Sequence, residues 1–255
     1  MNNVNQTTKY CVLLTGCIAP LDIPFLKRKD PAQREEDYYQ ALKCYLSQCR
    51  WPIVFCDNSN TRSKKIAKLI ETSNRKDIEY ITFEGRNFPL HLGKGYGEAL
   101  IIKKALAVSI LIKQAEVILK ITGRLMVENI KDILFLLERE MDINDYDFMG
   151  NLKYDLTYCN SRFFIFKKEF IKKYFEPHLS KLNDSDNVFF EHILAVAILS
   201  SILDGKSFSK LPCLPKISGH SATCGTALKT SYIKFKIKNL LFCLAEKYLK
   251  RGFTY

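Results

Sequence analysis

Short apolar runs alternate along the first half of the chain with longer stretches whose apolar positions recur every three or four residues. That is the pattern of buried strands interleaved with amphipathic helices. Residues 10–14 form the first run, ending in Thr15-Gly16-Cys17-Ile18-Ala19-Pro20, and predict a buried strand followed by a loop. Asp30 then stands where an N-cap belongs, with Pro31 at the first helical position and Gln33 as capping-box partner. Tyr38, Ala41, Leu42, Tyr45, Leu46 and Cys49 make one buried helical face. Pro52 ends that helix. Residues 53–56 predict the second strand, which runs into Asp57-Asn58-Ser59-Asn60; a helix over 61–72 and a strand over 78–83 follow. The order β-α-β-α-β is half of a doubly wound sheet.

The glycine-rich turn Gly93-Lys94-Gly95-Tyr96-Gly97-Glu98 feeds a helix reaching about residue 113, with Leu100, Ile101, Ala105, Val108 and Ile112 on its apolar side. A strand over 117–121 ends at Thr122-Gly123-Arg124, and a helix over 129–139 presents Ile130, Ile133, Leu134 and Leu137. Strands over 146–150 and 162–166, a basic helix over 167–174, a polar link over 181–187 and an apolar helix over 188–197 complete the main body. The expected fold class is α/β: a Rossmann-like, mostly parallel central sheet flanked by helices, with a basic amphipathic C-terminal helix. The expected division is 1–225 for the main domain, with halves over about 1–150 and 151–225, and 226–255 for the terminal helix.

Bulk properties narrow the function. The 255 residues are 47% hydrophobic, ample for a core, and 39 Lys and Arg against 27 Asp and Glu give +12, which suits an anionic partner. Nine cysteines, mostly inside apolar runs and without any CxxC pair, predict reduced, packed thiols and argue against structural zinc. No apolar run is long enough to span a membrane, and the N-terminus lacks a signal-peptide pattern, so a cytoplasmic protein is expected. From residue 226 onward seven basic residues oppose only Glu246, while Ile233, Ile237, Leu240, Leu241, Leu244 and Tyr248 fall on one helical face. Such a helix either lies on the inner surface of the cytoplasmic membrane or packs its apolar face on the domain.

Lys120 interrupts a strand apolar enough to be central, and a buried charge needs a partner or an anion. Together with Arg124 it outweighs the glycine turn, whose glycines would let the backbone approach a phosphate at a helix N-terminus but which is neither a Walker loop nor GxGxxG after a strand. Asp57 and Asn58 sit where open α/β sheets bind ligands, or else serve as turn and cap for the next helix. Glu191 is either a buried base or a favourable acid at a helix start. Arg162 opens a hydrophobic strand at its polar end, where a ligand cleft is expected, and His220 lies in a polar loop with room for a ligand, one histidine being a poor metal signature.

Residues 13–18 (LLTGCI), 28–34 (RKDPAQR), 54–60 (VFCDNSN), 93–98 (GKGYGE), 120–124 (KITGR) with Asn129, and 189–192 (FFEH) resemble a family of bacterial cytoplasmic glycosyltransferases of GT-A type that build lipopolysaccharide or capsule. The resemblance spans roughly residues 10 to 225. It implies a GT-A-like fold with a donor half over about 1–150 and an acceptor half over 151–225, and transfer of a sugar from a nucleotide donor to a hydroxyl of a lipid-linked glycan, with Arg162 and His220 on the acceptor side. Thr15 and Gly16 would then lie near the nucleotide, Asp57 and Asn58 on its base or ribose, and Glu98 and Asn129 in the pocket. Metal-dependent GT-A enzymes carry Asp-x-Asp at the strand end where this chain has Ile121-Thr122-Gly123-Arg124. Asp145-x-Asp147 and Asp184-x-Asp186 have the spacing elsewhere. The expectation is therefore no divalent metal and no other cofactor, with Lys94, Lys120 and Arg124, beside Gly95, neutralising the diphosphate and Glu191 deprotonating the acceptor. The alternatives are a non-catalytic basic nucleic-acid-binding protein, or a nucleotidyl- or sulfo-transferase. The first is disfavoured because the aromatics follow core periodicity, so no nucleic-acid partner is expected.

Overall fold

The computed structural model describes residues 9–139 and 146–251, with side chains through 245. Asp145 of the first Asp-x-Asp spacing, and Tyr248 of the terminal helix, lie outside the described side chains. Four strands, β1 (Tyr10–Gly16), β2 (Ile53–Asp57), β3 (Ile78–Thr82) and β4 (Val117–Thr122), run parallel. A two-residue strand, β5 (Met126–Val127), leaves the bend after β4, and β6 (Phe148–Met149), β7 (Phe163–Lys167) and β8 (Phe208–Ser209) extend the main sheet. The order is β3-β2-β1-β4-β7-β6-β8, with β7 antiparallel to β4 and β6 antiparallel to β7. The expected α/β class with a mostly parallel central sheet is therefore what the chain folds into. A second, small sheet joins β5 to β9 (Ile217–His220) and β10 (Ala227–Leu228).

Helices cover both faces. In β1, Cys11 and Leu13 point to one core and Val12 and Leu14 to the other, as period-two geometry requires. The first core is closed by α3 (Gly93–Val108), α4 (Ile110–Gln114) and α7 (Phe190–Leu203), the second by α1 (Pro31–Gln48), α2 (Lys64–Thr72) and α5 (Ile130–Arg139). Asp30 caps α1 through the Gln33 N–H at 2.7 Å, as its sequence predicts.

Several boundaries move, each for a local reason. Ser63, not Asp57 or Asn58, caps α2 through the Ile66 N–H at 3.0 Å, so that helix starts at Lys64. The glycine segment is no loop: Gly93, Gly95 and Gly97 are the first turns of α3. Ser109 ends α3 and caps α4, so the run to residue 113 is two helices. Lys167 still pairs with Val117 in the sheet; the basic helix begins with α6 (Lys168–Phe170) and loosens at once into a π-turn over Ile171–Phe175. The apolar helix begins at Phe190 rather than residue 188.

The last helix, α8 (Tyr232–Arg251), turns its Ile233, Ile237, Leu240, Leu241 and Leu244 face outward. Packing of that face onto the domain is thereby corrected. The inward stripe is Phe235, Asn239, Phe242 and Cys243, with Asn239 Oδ1 accepting the Leu214 N–H at 2.7 Å.

Candidate active site

The carboxyl ends of β1, β2 and β4 open into a cavity of about 380 Å³. Thr15 and Gly16 form part of its floor, Arg34 and Tyr38 of α1 one side, and the start of α3 another. Ser161, Arg162 and Glu191 face the cavity from the β7–α7 side, and Ser221 to Thr223 close it from the small sheet.

Pleating explains the floor. Thr15 lies on the same face of β1 as Cys11 and Leu13, and Lys120 and Thr122 on the same face of β4 as Ile118. All of them look toward α3. Glu98 in the second turn of α3 meets them: its Oε1 accepts from Thr15 Oγ1 at 2.9 Å, Thr122 Oγ1 at 3.3 Å and Lys120 Nζ at 2.5 Å. The Lys120 ammonium also donates to the Ser161 carbonyl at 2.6 Å and contacts Thr122 Oγ1 at 3.2 Å. Burial works against ionisation of Glu98, yet the ammonium and the Thr15 hydroxyl outweigh it and hold the carboxyl below its usual range. Burial lowers the Lys120 value, against the pull of Glu98.

On the opposite side Ser161 Oγ donates to Glu191 Oε1 at 2.6 Å. Glu191 occupies the first turn of α7, where the macrodipole favours an acid, and it also lines the cavity, so both readings of its position hold together. His192 is local structure: its Nδ1 accepts the Phe189 N–H at 3.1 Å.

The bend after β4 is pinned from α1, because the Tyr45 hydroxyl donates to the Leu125 carbonyl at 2.7 Å and accepts the Val127 N–H at 3.1 Å. Arg124, held in that bend, donates to the His220 carbonyl at 2.8 Å. Beside it Arg34, 5% exposed, donates to the carbonyls of Cys17 (2.6 Å) and Arg28 (3.1 Å) and to the Tyr38 hydroxyl (3.1 Å). Among the described residues no carboxylate forms an ion pair with either guanidinium. Burial lowers the Arg124 value, and the charge of Arg34 adds to that. Lys94, at the start of α3, reaches Thr223 Oγ1 at 2.7 Å.

The glycines have a different task from the one expected. Gly93 has φ +74°, and the space a Cβ would fill is taken by the Asp184 carboxylate, whose Oδ2 accepts the Lys94 N–H at 3.0 Å. Gly95 lets α3 approach Phe190, where a Cβ would come within 3.0 Å of the phenylalanine Cβ. The N-terminus of α3 is thus capped by an internal acid rather than open to a phosphate. Burial raises Asp184 to about 6.

Thr15, Gly16, Asn58, Lys94, Gly95, Glu98, Arg124, Arg162 and Glu191 line the cavity together. Asp57, Lys120, Asn129 and His220 are not among its lining residues. Asp57 is fully buried and organises the loop after β1, accepting from Ile18 N–H at 2.7 Å and from the Ser59 N–H and hydroxyl. Lys120 is a buried ion-pair partner beneath the floor, which corrects its direct contact with a diphosphate. Asn129 ties β5 to the segment before β9 through Leu214 O and Lys216 N. The His220 ring faces Asp37, Nδ1 to Oδ1 at 3.3 Å. Sequence reasoning missed Arg34, Ser161 and Asp184. Arg34 had a signal, because it falls on the buried α1 face with Tyr38, Ala41, Leu42 and Tyr45. Asp184 was visible only as part of an Asp-x-Asp spacing, and its capping role was not, its partner Lys94 being 90 residues away.

No family model matches the sequence, and no curated protein matches it. Solved structures with a similar fold include a candidate nucleotide-diphospho-sugar transferase from Desulfovibrio desulfuricans, at 9% identity and TM-score 0.45 over 80% of each chain. An active-site mutant of LgtC matches at 10% identity and TM-score 0.49, over 78% of this chain and 72% of that one. A cytidylyltransferase from Leptospira borgpetersenii matches at 12% identity and TM-score 0.41, over 88% and 82%.

Proposed function

We propose that the chain is a GT-A-like glycosyltransferase that moves a sugar from a nucleotide-sugar donor to a hydroxyl of a lipid-linked glycan. In this reading the glycan is of bacterial lipopolysaccharide or capsule type, and the enzyme works at the inner face of the cytoplasmic membrane. One observation carries it: Arg34 and Arg124 both line the cavity at the carboxyl ends of β1 and β4, within electrostatic reach of each other, and among the described residues neither has a carboxylate ion-pair partner. Two neighbouring guanidiniums repel each other, and a bound anion relieves both. A nucleoside diphosphate supplies that anion at the place where open α/β sheets take nucleotides.

The donor lies over Thr15, Gly16 and Asn58, with its diphosphate on Arg34, Arg124 and Lys94. Glu191, held by Ser161, accepts the proton of the acceptor hydroxyl while that oxygen bonds to the anomeric carbon. The bond from that carbon to the diphosphate breaks, its electron pair leaves with the phosphate oxygen, and the three cations receive the developing charge. Direct displacement of this kind inverts the anomeric centre. Arg162 lies on the acceptor side. The cavity acids are otherwise engaged, Glu98 by Lys120 and Asp184 by the α3 N-terminus. They offer a divalent cation little, and the reading is metal-independent.

Calorimetric titration of the purified chain with nucleoside diphosphates and nucleotide sugars tests it. Saturable binding of one of them, weakened by about tenfold or more in Arg124→Met, is expected. Absence of any nucleotide binding, with tight and salt-sensitive binding of polynucleotide instead, overturns it.

A further inference from the structure

Helix α8 carries two apolar stripes, and the inner one already holds it to the domain. Phe235, Asn239, Phe242 and Cys243 are half-buried, Asn239 is bonded to Leu214, and Cys243 Sγ lies 3.8 Å from the Pro212 carbonyl. Among the described residues, nothing covers the outer stripe. Ile233, Ile237, Leu240, Leu241 and Leu244 are 71, 56, 60, 62 and 45% exposed, and their spacing stacks them in one line. A contiguous exposed row of five large aliphatic side chains is unusual on a monomer and marks a contact surface.

The polar borders of that row say what it meets. At about 100° per residue, Lys234 and Lys238 flank one edge and Lys236 the other. Between residues 226 and 245 the chain has no Asp or Glu. Lysines along both edges extend their alkyl stems beside the apolar row and carry their ammonium groups to headgroup level. A second copy of the chain, docked face to face about a two-fold axis, would bring these lysine rows together and repel. Anionic headgroups attract them.

We propose that the outer face of α8 is a docking surface for an anionic phospholipid bilayer, with the helix lying in the plane of the interface. The two-stripe design lets α8 hold the domain and the bilayer at once. Leu228 lines the cavity and stands four residues before the start of α8, so the root of the helix is at the cavity rim. Docking therefore keeps the cavity next to the bilayer. Its purpose, access to a lipid-linked acceptor, rests on the proposed glycosyltransferase reading; the surface itself rests on exposure and charge alone.

Flotation of the full chain with phosphatidylcholine vesicles, with and without phosphatidylglycerol, tests the proposal. The expected result is binding to the phosphatidylglycerol-containing vesicles that weakens as salt rises. Ile237→Asp/Leu241→Asp should abolish it, and Lys234→Gln/Lys238→Gln should lower it roughly fivefold per lysine removed. Nucleotide binding by both variants should match the parent chain, which shows that the fold is intact. Equal vesicle binding by parent and Ile237→Asp/Leu241→Asp overturns the proposal. So does a concentration-dependent dimer in sedimentation that this variant dissolves while vesicles remain unbound. Failure of nucleotide binding with vesicle binding intact would instead count against the glycosyltransferase reading and leave this surface standing.

Discussion

Lys120 Nζ stands 2.5 Å from Glu98 Oε1, with the lysine side chain at 0% exposure, and the same ammonium donates to the Ser161 carbonyl at 2.6 Å. Ser161 in turn donates to Glu191. The floor of the cavity is thus one hydrogen-bonded chain running from Thr15 through Glu98, Lys120 and Ser161 to Glu191. Removing one partner of a buried pair leaves the other charge stranded, at a cost of about 3–5 kcal/mol. Lys120→Met alone should destabilise by that order. Combining it with Glu98→Gln should recover part of the loss, with a coupling of about 0.5–3 kcal/mol in a double-mutant cycle read by chemical denaturation. Additive losses would show that the two groups do not act as a pair.

Glu191→Gln should lower the turnover of sugar transfer by about 10²- to 10⁴-fold, the usual worth of a general base. Nucleotide affinity should stay within error, because the diphosphate cations are elsewhere. Ser161→Ala, which leaves the carboxylate in place but unanchored, should give a smaller loss of turnover. Near-parental activity in Glu191→Gln would remove this residue from the chemistry.

Among the described residues the Arg124 side chain makes one hydrogen bond, to a carbonyl, and it is repelled by Arg34. Arg124→Met should therefore weaken nucleoside diphosphate binding by about tenfold or more, the worth of a hydrogen bond to a charged group. Its melting temperature without ligand should hold or rise, because a repulsion is removed. A large fall in melting temperature would mean that the guanidinium serves structure instead.

Asp184 provides a pH dependence whose sign can be worked out. Its folded value of about 6 lies above its ordinary 3.8, so across that window the folded chain keeps a proton that the unfolded chain has released. Stability contributed by this group is therefore present below about 3.8 and declines as pH rises to about 6. Asp184→Asn keeps an acceptor for the Lys94 N–H but cannot titrate. Thermal unfolding followed across this range should lose that part of its slope in the variant, and an unchanged slope would assign it to other groups.

The metal-independent reading makes a direct prediction. Sugar transfer should persist in excess EDTA, and added Mg²⁺ or Mn²⁺ should change the rate less than Arg124→Met does. Loss of activity in EDTA, restored by metal, would move the charge-neutralising role away from Arg34, Arg124 and Lys94.

Much of this protein is written locally. Apolar runs and three-to-four spacing located β1 to β4 and the helices between them, because burial on both faces leaves a strand no polar positions and burial on one face leaves a helix a stripe. The cap at Asp30 was legible for the same reason, as its partner is three residues away. The C-terminal half yielded less: the strand expected over 146–150 is there but shrinks to the two residues of β6, and β8, also two residues long, has no period to detect. What only tertiary structure decided is the assignment of charges. Lys120 as an interrupting charge was visible in the sequence, but whether it meets a ligand or a carboxylate depended on where Glu98 landed after α3 packed on the sheet. The glycines of residues 93–97 looked like a phosphate cradle until Asp184, from a distant link, took the N-terminus they opened. The outward turn of Ile233 and Leu240 was settled by the second stripe of α8 winning the contact with the domain. Pattern determines which residues are buried or amphipathic, because that is a property of one segment. Which charge meets which depends on two segments at once, and only the folded chain brings them together.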